Sequence, residues 1–198
     1  MCLTKEKARE LIADTKPPKG GWRWSSVKHY PKTSSRITTA QEQAKKEPIE
    51  VKKIIKYVNE FLGVLEMKEI EDPELKLPED FSNWDKEKRK QYVIEKHYTF
   101  ERGKPKSNND LVWMKFTKDG FLGVVAVRND INFRSFRENN TAGIIVHSLG
   151  KTWDRSFVLA FPLIGIPKGF KRSDIECGIG NYLIKKGVPI LDFYSHKF

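Results

Sequence analysis

The apolar residues in the first third of the chain recur at the spacing of amphipathic helices. In the segment PIEVKKIIKYVNEFLGVLEM they fall three and four residues apart, with lysines on the other face, which predicts a helix over 48–67. A shorter helix is predicted to begin at Thr4, its N-cap residue. Another is predicted to begin at Thr39, where TAQE has the form of a capping box, and to end before Pro48.

From about residue 91 the pattern changes to short runs of β-branched and aromatic residues, which are typical of strands. The predicted strand segments are YVIEKHYTF, LVWMKFTKDGFLGVVAVR, AGIIVHS, SFVLAFPLI and VPILDFY. Within the second segment, Lys118-Asp119-Gly120 has the composition of a hairpin turn, so its two halves are expected to pair antiparallel. The segment SFVLAFPLI is almost wholly apolar, as expected for a strand that is covered on both faces.

One more helix is predicted before the last strand. Ser173–Glu176 has the form of a capping box, and Gly187 fits the C′ position that follows a helix. The order of elements predicts an α+β fold, with N-terminal helices followed by an antiparallel or mixed β-sheet and one C-terminal helix packed on it. The expected organisation is a basic helical portion 1–67, a connector 68–90 and a sheet portion 91–198, in one folded unit.

The charge of the chain is unevenly distributed. Lys and Arg number 37 against 26 Asp and Glu, a net charge of +11. Residues 1–56 hold 14 of the cations and 6 of the acids, so their net charge is 14 − 6 = +8, and residues 15–37 hold six cations and no acid. Such a local surplus favours a polyanionic partner, and we expect nucleic acid, either DNA or RNA.

The segment GGWRWSSVKHYPK combines these cations with aromatic rings. Because cations bind phosphates and aromatic rings stack on unpaired bases, the segment predicts a non-catalytic nucleic-acid-binding arm. Its candidate contacts are Trp22, Arg23, Trp24, Lys28, Tyr30, Lys32 and Arg36. The segment RNDINFRSFRE adds Arg134 and Arg137. The alternative for the tryptophans is a place in the core, between the helices and the sheet.

The histidines indicate a second possible function, an enzyme that acts on phosphodiesters or nucleotides. HYTF has the His-x-Thr form in which two-histidine phosphoesterases place an imidazole and a hydroxyl on one side of a strand. The other histidine segment, HSLG, departs from this form because its hydroxyl comes one residue early. The candidate catalytic residues of this alternative are His97, Thr99, His147 and Asp192.

The sequence contains no motif that predicts a cofactor or a metal ion. Acid-x-Lys elements such as Glu74-Leu75-Lys76 are expected to lie off the strands, whereas metal-dependent nucleases need them at strand ends. Cys2 and Cys177 are interpreted as free thiols in a reducing, cytoplasmic compartment. No apolar run is long enough for a transmembrane helix, so no membrane partner is expected.

A third possible function is protein interaction. The compact, lysine-rich chain fits an interaction or inhibitor protein of a phage or another mobile genetic element. Its partner would be an acidic protein or a ribonucleoprotein, since either would complement the positive charge.

Overall fold

Five strands form one mixed sheet in the part of the chain that the structure describes. This computed structural model describes residues 3–13, 35–85, 87–89, 91–92, 110–128 and 141–192. The strands are β1 (Glu74–Lys76), β2 (Leu111–Phe116), β3 (Leu122–Arg128), β4 (Phe157–Pro162) and β5 (Ile190–Asp192). Their order across the sheet is β1-β4-β2-β3-β5. β5 runs parallel to β3, and the other neighbouring strands are antiparallel.

Helices cover both faces of this sheet. They are α1 (Lys5–Ala13), α2 (Ser35–Gln43), α3 (Val51–Val64), α4 (Thr141–Ser148) and α5 (Arg172–Lys185). Alternate residues of β2 belong to different hydrophobic clusters, because successive side chains of a strand point to opposite faces. Val112 packs with α1, α3 and α5, whereas Trp113 packs with α4. The α+β class predicted from the sequence is therefore confirmed.

The helix predicted over 48–67 is confirmed as α3, which is three residues shorter at each end. Four of its side chains are fully buried, namely Ile54, Val58, Phe61 and Leu62. They recur three and four residues apart and face α1, α5 and the sheet in one cluster. The first helix also begins as predicted, since the N–H of Lys7 donates a hydrogen bond to the hydroxyl of Thr4.

The predicted hairpin is confirmed as β2 and β3. Thr117 and Phe121 close it, because the N–H of Thr117 donates to the carbonyl of Phe121 at 2.9 Å. Gly120 lies between them with φ +86°, a left-handed conformation that glycine adopts without strain. β4 is confirmed as a strand between β1 and β2, and its central residues are buried.

The strand predicted for AGIIVHS is wrong, because residues 141–148 form the helix α4. Ile145 and Val146 are buried, as they would be in a strand, but they face α2 and the sheet respectively. His147 follows as an exposed residue of the last turn. Two helices therefore follow β3 in the described part of the chain, α4 and α5, whereas the sequence predicted only α5.

Two helices, α2 and α5, begin earlier in the chain than the sequence predicted. α2 begins at Ser35 and places Thr39 within the helix, because Ile37 is buried against Ile145 of α4 and extends the helix by a turn. α5 begins at Arg172, and its capping interaction is a 2.6 Å hydrogen bond from the N–H of Lys171 to the carboxylate of Asp174.

The predicted connector contributes an edge strand to the sheet. β1 lies within residues 68–90 and pairs antiparallel with β4, with Leu75 opposite Val158. Pro73 immediately before it is compatible with this position, since edge strands tolerate proline. The acid-x-Lys element at Glu74 therefore lies on a strand, contrary to prediction.

Candidate nucleic-acid interface

A basic pocket lies at the end of the β2–β3 hairpin. It is a cavity of about 370 Å³. Three lining side chains are cationic, those of Lys118, Lys151 and Arg155, and His147 lies beside them. The other lining residues are Gly143, Val146, Thr152 and Trp153. Within the described part of the chain, the lining therefore contains no carboxylate.

The C-terminus of α4 forms one wall of this pocket. Gly143, Val146 and His147 are three and four residues apart and so share one face of the helix. The helix ends in a Schellman motif, in which Gly150 donates to the carbonyl of His147 at 2.9 Å and Lys151 donates to that of Val146 at 3.1 Å. Gly150 has φ +69°, so glycine is favoured there. The motif positions Lys151 one residue after the turn, beside His147.

The tip of the hairpin forms the opposite wall. The N–H of Lys118 donates to the carbonyl of Thr152 at 2.9 Å, and Thr117 pairs with Trp153 in an isolated antiparallel bridge. These backbone contacts fix the segment that follows α4 against the end of β2. As a result, Lys118 from the hairpin and Arg155 from the later segment line the same cavity.

Lys151 is the most constrained cation of the pocket. Its ammonium group pairs with the carboxylate of Asp119 and lies 4.0 Å from the ring centroid of Phe121, and its side chain is 15% exposed. Burial opposes ionisation of Asp119, but the hydrogen bonds from Lys151 and Thr117 outweigh it and lower the pKa of this carboxyl. Asp119 therefore stays ionised at neutral pH, and its contact with Lys151 holds that side chain in the pocket wall.

The other cationic side chains of the pocket are open to solvent. Lys118 and Arg155 are exposed, as is His147 beside them. Asp154, which precedes Arg155 in the chain, accepts hydrogen bonds from the N–H and the hydroxyl of Ser156, at 2.8 and 2.6 Å. Two exposed cations and one fixed cation therefore meet at a concave surface, which attracts anions.

Beneath the pocket lies a buried tryptophan. Trp153 is 5% exposed, and its ring covers Gly123 so closely that a Cβ there would lie 2.4 Å from the ring. The ammonium group of Lys115 lies 4.8 Å from the centroid of Trp113 and 5.8 Å from that of Trp153. This rigid layer supports the segment 151–155 that carries the pocket cations.

Most residues of the predicted arm and of the predicted two-histidine site lie outside the described residues. These are Trp22, Arg23, Trp24, Lys28, Tyr30, Lys32, His97, Thr99, Arg134 and Arg137. Their predicted roles stay predictions. Of the remaining candidates, His147 lines the basic pocket, and Arg36 and Asp192 lie together elsewhere.

Arg36 and Asp192 form an ion pair between α2 and the end of β5. The carboxylate of Asp192 is 3% exposed, and burial raises its pKa although Arg36 opposes this. Glu176 of α5 lies nearby and is also buried. Asp192 is not among the residues that line the pocket of His147, so the described geometry does not bring these two catalytic candidates together.

The sequence reasoning missed Lys118, Lys151, Trp153 and Arg155. The signal was present in the segment LGKTWDR, where a glycine that fits a C′ position is followed by two cations around a tryptophan. The strand prediction for AGIIVHS concealed it, because a glycine after a strand has no capping role. Lys118 was assigned only to the hairpin turn.

The described residues contain no group of three or more His, Cys, Asp or Glu placed to hold a metal ion. None of their helices has the length and apolar character needed to cross a membrane. Comparison of the chain with protein-family models, with curated proteins and with solved structures finds no match.

Proposed function

We propose that the protein binds nucleic acid through a cationic surface and performs no reaction on it. The observation that carries the proposal is the basic pocket, where Lys118, Lys151 and Arg155 converge and none of the described lining residues is acidic. Contacts with phosphates provide most of the affinity of proteins for nucleic acids, because each neutralised phosphate releases counterions. A pocket of this charge is therefore suited to the nucleic-acid backbone.

The position of α2 supports a role for the arm on the same ligand. Residues 15–34 precede α2 in the chain, and α2 packs on α4 through Ile37, Ala40 and Ile145. α4 in turn carries His147 in the pocket wall. In this proposal the arm extends the phosphate-binding surface with its own cations and stacks its aromatic rings on unpaired bases. Its cations are Arg23, Lys28 and Lys32.

A second candidate function is phosphodiester hydrolysis. It is favoured by one observation, the position of an exposed imidazole, that of His147, among three cations that would bind a phosphate group. An imidazole in such a place is suited to proton transfer at a phosphodiester. We rank this candidate second because the described residues place neither a second histidine nor a metal site beside His147.

The double variant Lys118→Gln/Arg155→Gln tests the proposal. Both side chains are exposed, so we expect the fold to be retained. Loss of two phosphate contacts should make the slope of log K against log salt about 1.5 to 2 units shallower and weaken binding about tenfold near 0.1 M salt. The measurement is fluorescence anisotropy of 5′-phosphorylated single-stranded and duplex oligonucleotides over a series of salt concentrations.

Lys168→Gln provides the matched control. Lys168 is exposed and lies beyond the opposite end of β4, a six-residue strand that spans about 20 Å. This variant should bind like the wild type. Affinity that does not depend on salt, or an unchanged slope in the double variant, would contradict the proposal. Cleavage of the oligonucleotides, abolished by His147→Ala, would instead support the second candidate.

A further inference from the structure

The shape of the basic pocket distinguishes it from an ordinary phosphate-binding surface. A phosphodiester within a strand continues into a sugar on both sides, so proteins usually bind it on open ridges and grooves. Here the cations line a half-open concavity of about 370 Å³, which is within the size range of small-ligand sites. One wall contains Gly143, which has no side chain to occupy this space. Such a cavity fits a group that ends a chain.

The charge of the pocket matches a doubly charged group. Lys118, Lys151 and Arg155 contribute +3, and Asp119, paired with Lys151, contributes −1, so the net charge is 3 − 1 = +2. A phosphate monoester carries a charge of about −1.5 to −2 at neutral pH and three acceptor oxygens, whereas a diester carries only −1. The charge therefore favours the monoester.

Further hydrogen-bonding side chains are also present for these oxygens. Thr152 and His147 belong to the lining, next to the cations. Lys151 is held by Asp119 and by the ring of Phe121, and the backbone of Lys118 is bound to Thr152. Because the side chain of Lys151 is held in place before a ligand arrives, its ordering on binding costs little conformational entropy.

We propose that this pocket holds the terminal phosphate monoester of a nucleic-acid strand, with Lys118, Lys151 and Arg155 as its ionic contacts. The assignment rests on the proposed function and makes it more specific: the protein recognises a phosphorylated strand end. A nucleoside monophosphate presents the same group and should occupy the same pocket.

The test compares the ends of one oligonucleotide. Strands with a 5′-phosphate, a 3′-phosphate or two hydroxyl ends are titrated against the full chain by fluorescence anisotropy near physiological salt. We expect one phosphorylated end to bind about tenfold or more tightly than the hydroxyl-ended strand, the effect of a few charge-assisted hydrogen bonds. Adenosine monophosphate should compete with that strand and remove its advantage.

Two variants make the result specific. Lys118→Gln/Arg155→Gln should bind all three strands with nearly equal affinity, whereas Lys168→Gln should keep the preference of the wild type. Equal affinity of the wild type for phosphorylated and hydroxyl-ended strands would overturn the pocket assignment, while salt-dependent binding of all three strands would uphold the proposed function.

Failure of the proposed nucleic-acid binding can also be distinguished from failure of the pocket assignment. If no strand binds even at low salt, the proposed function is wrong, and isothermal calorimetry with adenosine monophosphate then examines the pocket alone. Binding of the nucleotide that is lost in Lys118→Gln/Arg155→Gln would keep a phosphomonoester site in this pocket. Absence of that binding would overturn both proposals.

Discussion

Glu176 shows how far burial changes the chemistry of one side chain. It was predicted as part of a capping box, but α5 begins two residues earlier and Glu176 lies in the interior, only 6% exposed. Burial raises its pKa to about 8; the charge of Arg172 opposes this shift and that of Asp192 adds to it. A glutamic acid that stays protonated at neutral pH follows from this position.

This shift predicts a pH-dependent stability. The folded protein holds the proton of Glu176 up to about pH 8, whereas the unfolded chain releases it near the ordinary value of 4.5. The folded state therefore binds more protons over this interval, and the free energy of unfolding should fall as the pH rises through it. In Glu176→Gln this contribution is absent. Between pH 6 and pH 8.5 the free energy of unfolding, measured with urea, should therefore fall less in this variant than in the wild type, by a few kcal/mol in order of magnitude.

The surface variant Glu71→Gln serves as the control for that comparison, because Glu71 is exposed. It should show the pH dependence of the wild type. A decrease of equal size in Glu176→Gln and in the wild type would show that Glu176 does not carry the effect.

At the scale of the element, α4 is the clearest disagreement between sequence and structure. Its run of Ile144, Ile145 and Val146 has the composition of a strand. The helix instead ends in the Schellman motif at Gly150, and its buried side chains Ile145 and Val146 pack on neighbours that lie far away in sequence. Tertiary packing and a C-terminal cap therefore override the local preference of these residues.

Substitution of Gly150 tests the contribution of the C-terminal cap of α4 to stability. Gly150→Ala should lower the free energy of unfolding by about 1 kcal/mol, because φ +69° is strained for alanine. A Cβ at Gly150 would have no atom within 4 Å, so the backbone alone accounts for this cost. Gly150→Asn should lose less, since asparagine tolerates the left-handed region. Equal losses in the two variants, measured by urea unfolding, would contradict this explanation.

At the scale of the whole molecule, the ion pair of Arg36 and Asp192 connects the start of α2 to the last described strand. Arg36 was predicted as a phosphate contact of the arm, and that role stays a prediction. The structure shows a different partner for its guanidinium group, a carboxylate that is 3% exposed. The pair joins residues that are 156 positions apart in the chain.

Removing one partner of the Arg36–Asp192 ion pair should lower the free energy of unfolding. Arg36→Leu leaves the carboxyl group of Asp192 buried without its cation, so we expect a loss of about 3 kcal/mol in the free energy of unfolding. The double variant Arg36→Leu/Asp192→Leu removes both charges and should lose less than Arg36→Leu alone. Chemical denaturation of the two variants measures the difference. A double variant that is less stable than the single one would contradict this account.

The sequence by itself determined the elements whose signals are local. The periodicity of α3, the turn at Gly120, the apolar run of β4 and the C′ glycine at position 187 all depend on neighbouring residues, and each was predicted. The surplus of positive charge is also a property of composition alone. The α+β class follows from the order of such elements.

Only the tertiary structure decided the features that depend on distant contacts. It made α4 a helix, began α2 at Ser35, placed β1 at the sheet edge and buried Glu176. It also brought Lys118 from a hairpin to the cations that follow α4. The physical reason is that burial and charge act through space, so the side chains that meet across the sheet determine a site that no local pattern contains.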